Sequence, residues 1–167
     1  EFRRVLFRSS LHLKGAYVDG FENLSFSNIQ NLASFEFPEG ANAMGVKNTA
    51  MKKNLLQNNQ KITSLVVPGN YAELQGLQGM YGLQSLIIAN GVTTIDAQCF
   101  QNDGVITSVL LPSSLTSLGE EAFKSCTSLT SVSLPEGLTT ISSNLFNNTH
   151  ITSIRLPNTL QTIAANA

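Results

Sequence analysis

The chain has few charged residues, no tryptophan, two cysteines and no long hydrophobic run. Charged residues make up 13% of its 167 residues, about half of the roughly 25% found in an average globular protein. Lysine and arginine occur in no run longer than two residues, which disfavours an electrostatic nucleic-acid interface. The apolar runs are far shorter than the roughly 20 residues that span a bilayer. These absences argue against nucleic-acid binding and against a membrane span in this chain.

Cysteine and histidine, which could act in catalysis or bind a metal, are too few and too far apart in this chain to form a site. Two cysteines cannot form a disulfide framework, and no C-x-x-C or Cys/His cluster suggests a metal site. His12 and His150 lie at opposite ends of the chain, so a nucleophile paired with a histidine base is not expected. Cys99 and Cys126 are predicted to be inert core thiols. We therefore expect no enzymatic activity, no cofactor and no metal.

Residues 1–9 are expected to be foreign to the protein. The codons GAG TTC AGA CGT GTG CTC TTC CGA TCT encode this nonapeptide and match a common sequencing-adapter tail. A signal peptide is excluded here because no apolar segment of about 7–15 residues follows; a short basic arm is the remaining alternative. The repeat pattern described below begins and stops in mid-unit, so the chain is also expected to be a fragment.

Uncharged polar residues are abundant, and they lie within an internal repeat. The chain contains 18 serines, 14 threonines, 16 asparagines and 9 glutamines. Self-similar segments begin at intervals of 30, 21, 23, 23 and 22 residues, which is the signature of a stacked repeat architecture. The segments start at Leu32, Ile62, Leu83, Ile106, Leu129 and Ile151. A second column supports the register, because Phe or Leu lies five or six residues before the start of each segment: Phe26, Leu56, Leu77, Phe100, Phe123 and Phe146.

Each unit predicts two short strands and a corner. In the unit from Leu129, Val132-x-Leu134 alternates as a strand does, Pro135 ends it, and Leu138 to Ile141 reads as a second strand. One unit cannot bury its apolar face alone, whereas stacked units form a continuous core. The segment at about 40–54 is longer than its counterparts, and its apolar residues predict a short helix that bulges from the coil.

The order L-T-S-V-x-L-P, then L-T-x-I, then A-F resembles the BspA-like leucine-rich repeat family of bacterial and protist surface proteins. The resemblance is strong from Ile62 to Ala167 and looser from Ser10 to Gln60. Leu56 and Leu77 depart from the family pattern, because phenylalanine is expected there. The resemblance implies a right-handed, β-rich leucine-rich-repeat solenoid of short parallel strands, with about 21–30 residues per repeat. It also implies a cell-surface or secreted location.

These observations divide the chain into residues 1–9, irregular repeats at 10–61 and regular repeats at 62–167.

Two columns of the main strand have polar or variable residues that are expected to face solvent. A serine recurs once per repeat, either as a polar binding surface or as a ladder of hydroxyls bonded to neighbouring coils. The residue two positions later varies, as a recognition surface would, although ordinary strand propensity, or cover by the bulging segment at about 40–54, could also explain its apolar members. The candidate partner-binding residues in this variable column are Glu36, Val66, Ile87, Leu110, Ser133 and Arg155.

The sequence therefore predicts a non-enzymatic binding module that engages a protein or glycan through its main sheet. The alternatives are a structural spacer and an intracellular scaffold repeat with no ligand of its own.

Overall fold

The computed structural model describes residues 10–12, 26–37, 49–50, 55–69 and 71–167. Within these ranges the chain forms a solenoid of short parallel strands without a helix. This confirms the predicted fold class. The strands in chain order are β1 Ser10–His12, β2 Ser34–Glu36, β3 Thr49–Ala50, β4 Ser64–Val67, β5 Tyr71–Leu74, β6 Ser85–Ile88, β7 Thr94–Ile95, β8 Ser108–Leu110, β9 Ser117–Leu118, β10 Ser131–Ser133, β11 Thr140–Ile141, β12 Ser153–Arg155 and β13 Thr162–Ile163.

The strands form two surfaces of the solenoid. The first strand of each unit belongs to the main sheet, whose ladders are β1–β2, β4–β6–β8 and β10–β12. The second strand belongs to the opposite sheet, with ladders β3–β5–β7–β9 and β11–β13. Ser64 pairs with Ser85, and Ser85 pairs with Ser108. Equivalent residues of successive units are therefore direct neighbours, which confirms the repeat alignment.

The core lies between the two sheets and under the corner. In β4, Leu65 and Val67 face inward while the residues between and before them are exposed, as strand alternation requires. The corner is the segment that follows the second strand of each unit, and it contains the repeated Phe or Leu, which we call the aromatic column. This column is buried from Leu56 to Phe146. The ring of Phe123 stacks between those of Phe100 and Phe146, with centroid distances of 5.3 and 5.9 Å and interplanar angles of 13° and 15°. The stacked rings hold three successive coils together through offset aromatic contacts.

Residues with left-handed backbone conformation shape the corner. Gln98, Asn102 and Glu121 have φ values of 60°, 66° and 59°, although glutamine and glutamate rarely adopt this conformation. Their N–H groups donate to the next coil: Gln98 to the carbonyl of Glu120 at 2.9 Å, and Asn102 to that of Lys124 at 3.0 Å. Between them, the N–H of Phe100 also donates to the next coil, to the carbonyl of Ala122 at 2.9 Å, whereas those of Cys99 and Gln101 bond within their own turn. Bonds from alternate residues to the adjacent coil thus replace a continuous helix.

Two parts of the sequence prediction lie wholly or mostly outside the described residues. Residues 1–9 lie outside them, as does most of the longer segment at 40–54. Within that segment Thr49–Ala50 is strand β3, which pairs with β5, so the predicted helix is wrong at these two residues. Pairing with β5 gives the backbone groups at that edge of the sheet hydrogen-bond partners, which a helical turn would not provide.

Candidate functional site

The variable column lies on the outer face of the main sheet. Val66, Ile87 and Leu110 are the outward residues of β4, β6 and β8, and they pair directly in the ladder. Their exposed fractions are 55%, 40% and 62%. Neighbouring strands are about 4.8 Å apart, so the three side chains form a continuous stripe about 10 Å long. We call these three residues the apolar stripe.

The other three predicted site residues flank this stripe on separate ladders. Glu36 is exposed on β2, which lies beside β4. Ser133 and Arg155 are exposed and pair with each other in β10–β12, and β10 lies beside β8. The main-sheet face thus places an acidic side chain at one end of the apolar stripe and a basic one toward the other.

Other apolar residues are exposed for a different reason. Ile154, Leu156 and Ile163 occupy inward-facing positions of the last coil. Their exposure arises because no further coil in the structure stacks on them. In the apolar stripe, by contrast, coils stack on both sides and the side chains are exposed because the strand directs them outward.

The serine column lies on the same outer face, but it does not form the ladder of bonded hydroxyls that was one of its two interpretations. Among the described residues, Ser64, Ser85 and Ser108 make no side-chain hydrogen bond. At the strand entrances, it is the hydroxyl of the threonine just before the strand that bonds to the preceding coil. Thr93 donates to the carbonyl of Ala72 at 3.1 Å, and Thr107 donates in the same way to a carbonyl of the coil before it at 3.2 Å. The serine hydroxyls therefore face solvent beside the apolar stripe.

The two thiols and the histidine do not form a reactive site. Cys99 and Cys126 are free and buried, and burial raises the pKa of each thiol well above its ordinary value. His150 is exposed, and its Nδ1 lies 2.6 Å from the carbonyl oxygen of Thr127. Within the described ranges no three His, Cys, Asp or Glu residues are grouped so that they could hold a metal ion. In the same residues, no helix has the length and hydrophobicity needed to cross a bilayer.

One surface feature was missed by the sequence analysis. A depression of about 330 Å³ lies at the corner, on the outside of the solenoid. It is lined by Asn28, Gln30, Asn58, Gln60 and Tyr81, and we call it the corner pocket. The repeat alignment brings the two asparagines into one column and the two glutamines and Tyr81 into another. The sequence could have shown this alignment of residues, but it could not have shown the open space beside Tyr81.

Comparison with known proteins agrees with this geometry. The family model for the BspA type leucine rich repeat region matches residues 49–167 in six copies. No curated protein matches the chain. Among solved structures, the chain is similar to a leucine rich repeat protein of T. pallidum, with 20% identity, a TM-score of 0.61 and coverage of 72% of this chain and 63% of that one.

Two further structures are similar. A leucine-rich repeat protein from Bacteroides ovatus has 26% identity and a TM-score of 0.60, over 79% of this chain and 39% of that one. A leucine rich cell surface protein from Faecalibacterium prausnitzii has 21% identity and a TM-score of 0.59, over 72% of this chain and 36% of that one. The chain thus spans less than two thirds of each of these proteins. With the family model covering more than half of its residues, the chain belongs to the BspA type leucine-rich repeat family.

Proposed function

We propose that the chain is a non-enzymatic binding module of a cell-surface or secreted protein, and that it engages its partner through the outer face of the main sheet. The observation that carries this proposal is the apolar stripe, Val66, Ile87 and Leu110, which is exposed in the middle of the array. A partner that covers these side chains removes apolar surface from water. Each side chain is roughly half exposed, so covering it would contribute about 1 kcal/mol to the free energy of binding.

The surroundings of the stripe suit a protein partner better than a glycan. Apolar side chains at the centre of a patch with a polar rim are typical of protein–protein interfaces. Glu36 and Arg155 would orient the partner, because charges of opposite sign at the two sides favour one direction of docking over the other. The solvent-facing serine hydroxyls offer hydrogen bonds along the same rim.

Two observations support the cell-surface or secreted location. The chain belongs to the BspA type family, and one similar structure is named a leucine rich cell surface protein.

The proposal is tested with a double variant, Ile87→Lys together with Leu110→Lys. The immobilised chain is exposed to a panel of purified extracellular proteins and to a glycan array. We expect a preferred partner whose capture falls at least tenfold in the double variant, with unchanged circular dichroism and melting. Val105→Lys is the matched control, because Val105 is 38% exposed but lies in a turn off the sheet face.

The spacer and intracellular-scaffold alternatives predict a different result. Neither requires the outer sheet face to select a partner, so the panel would give no preference and the double variant would behave as the wild type. Either outcome would refute the assignment of the apolar stripe.

A further inference from the structure

The corner pocket is formed where amide side chains from two successive coils lie beside an aromatic ring from the next coil. Asn28 and Asn58 follow the aromatic column by two residues, and Gln30, Gln60 and Tyr81 follow it by four. Asn58 donates through Nδ2 to Oδ1 of Asn28 at 3.2 Å. This bond holds the two side chains in a fixed relation across the coils.

Two glycines keep the pocket open beside Tyr81. Gly79 stands in the column of Asn28 and Asn58, with φ +76°, and a Cβ there would lie 2.2 Å from Oδ1 of Asn58. Gly104 occupies the position of Tyr81 in the next coil, so no side chain at that position stacks on the ring from that side. As a result Tyr81 is 51% exposed, which is high for a large aromatic residue in a stacked array.

The lining of the pocket is polar and uncharged. Each Asn and Gln amide offers both donors and an acceptor, and the side chains of Gln30 and Gln60 make no hydrogen bond to the described residues. Because none of the five lining residues carries a formal charge, the pocket has no basis for selecting a phosphate or another ion. The volume of about 330 Å³ is at the small end of ligand sites, which range over roughly 300–1,000 Å³.

We propose that the corner pocket binds a neutral carbohydrate. A sugar ring has an apolar C–H face that can stack on an aromatic ring, and hydroxyls at its edge that can exchange hydrogen bonds with amides. Tyr81 provides the ring and the four amide side chains provide the polar partners. The pocket shares no residue with the apolar stripe, so this site is independent of the partner proposed for the main sheet.

The test is a titration of the chain with soluble neutral hexasaccharides of glucose, mannose, xylose and N-acetylglucosamine. Binding is followed by saturation-transfer NMR and by chemical shifts. We expect at least one hexasaccharide to bind with a Kd on the order of 1 mM, because a small open site offers few contacts. A proline-rich decapeptide is titrated in parallel, since an exposed tyrosine can also dock such a segment.

Three variants separate the roles of the ring and the amides. Tyr81→Ala is expected to weaken binding at least tenfold, whereas Tyr81→Phe keeps the ring and should retain it within about threefold. Asn58→Gly removes an amide but tolerates φ +61°, so it should weaken binding several-fold without unfolding the corner. Gln161→Ala removes an exposed amide elsewhere in the chain and should change nothing.

Several results would overturn the proposal. These are the absence of binding by every hexasaccharide, binding that Tyr81→Ala leaves intact, and binding of the proline-rich peptide alone. None of them bears on the apolar stripe, because the sheet-face variants are measured with a different partner. Failure at one site can therefore be distinguished from failure at the other.

Discussion

A buried carboxyl group in the corner leads to a quantitative prediction, and an asparagine two coils earlier provides the reference. Asn59 is fully buried three residues after Leu56 in the aromatic column. Its Oδ1 accepts the N–H of Ile29 at 3.0 Å, and its Nδ2 donates to the carbonyls of Phe26 and Leu56, both at 2.8 Å. One side chain thus satisfies backbone groups of two coils.

Asp103 occupies the same position two coils later but satisfies only part of this pattern. Its Oδ1 accepts the N–H of Met80 at 2.7 Å, while its buried Oδ2 has no hydrogen-bond partner. In the variant Asp103→Asn, the new Nδ2 is expected to face the carbonyl of Leu77, which corresponds to that of Phe26 beside Asn59; the carbonyl of Phe100 already accepts the N–H of Asp103 at 3.2 Å and the Sγ–H of Cys126 at 3.3 Å. One neutral hydrogen bond and the removal of an unsatisfied buried oxygen should raise the free energy of unfolding by about 2–4 kcal/mol near neutral pH.

The increase in the free energy of unfolding that Asp103→Asn produces should become larger as the pH rises. Burial raises the pKa of Asp103 well above its ordinary value of 3.8, and hydrogen bonds from the N–H groups of Met80 and Gly79 offset this only in part. The folded state therefore retains a proton that the unfolded state has lost. Stability from the neutral acid is present below about pH 3.8 and is lost as the pH rises through the folded pKa. Asparagine does not titrate, so its advantage should grow by up to about 1.4 kcal/mol per pH unit over this interval.

The assay is urea denaturation followed by far-UV circular dichroism, because the chain has no tryptophan to report by fluorescence. Wild type and Asp103→Asn are compared between about pH 4 and pH 8. The reciprocal variant Asn59→Asp is the control, and it should be destabilised increasingly as the pH rises. A difference between wild type and Asp103→Asn that is zero or negative, or that stays constant across the pH range, would refute the reasoning.

Three further predictions concern the corner. Phe123→Ala removes a ring that stacks on two others and should lower the free energy of unfolding by about 3–5 kcal/mol, measured by the same urea titration. Ser125→Asn should raise it by about 0.5–1 kcal/mol, because Ser125 has φ +62° and asparagine adopts that conformation more readily; an unchanged urea midpoint would contradict this. Cys99 and Cys126 should react with a thiol reagent only as fast as the chain unfolds, since burial raises both pKa values; rapid reaction in the absence of urea would show that the thiols are accessible.

The strand register could be predicted from the sequence because a solenoid converts sequence periodicity directly into pairing. Residues separated by one repeat, such as Ser85 and Ser108, become neighbours in a parallel ladder. The alternation within a strand then fixes which residues face outward. For this reason the exposure of Val66, Ile87 and Leu110 followed from the repeat alignment alone.

The conformation of the corner could not be predicted in the same way, because it depends on bonds to adjacent coils. Gln98 and Glu121 adopt positive φ values that their residue types disfavour. Their N–H groups are held by the carbonyls of Glu120 and Ser143 in the next coil, at 2.9 and 3.1 Å. Local propensity contains no information about these partners, since they lie more than twenty residues away.

The interpretation of the serine column as a ladder of bonded hydroxyls is wrong at Ser64, Ser85 and Ser108 for a geometric reason. A serine at the start of a strand points away from the sheet, so its hydroxyl cannot reach a backbone carbonyl of the adjacent coil. The preceding residue lies where the chain enters the strand, and there Thr107 reaches the carbonyl of Gln84 at 3.2 Å. The repeat identified which residues stack, but the direction of each side chain at the strand entry decided which of them bond.

Departures from the repeat have opposite consequences on the inside and the outside of the coil. Asp103 departs within a buried column, where an unsatisfied oxygen lowers stability and offers nothing to a ligand. Tyr81 departs within an exposed column, where a large ring costs the fold little and remains available to a partner. Since Asp103 is fully buried, Asp103→Asn should stabilise the chain without altering the apolar stripe or the corner pocket. Loss of binding in a variant made on that background would therefore report on the surface itself rather than on a weakened fold.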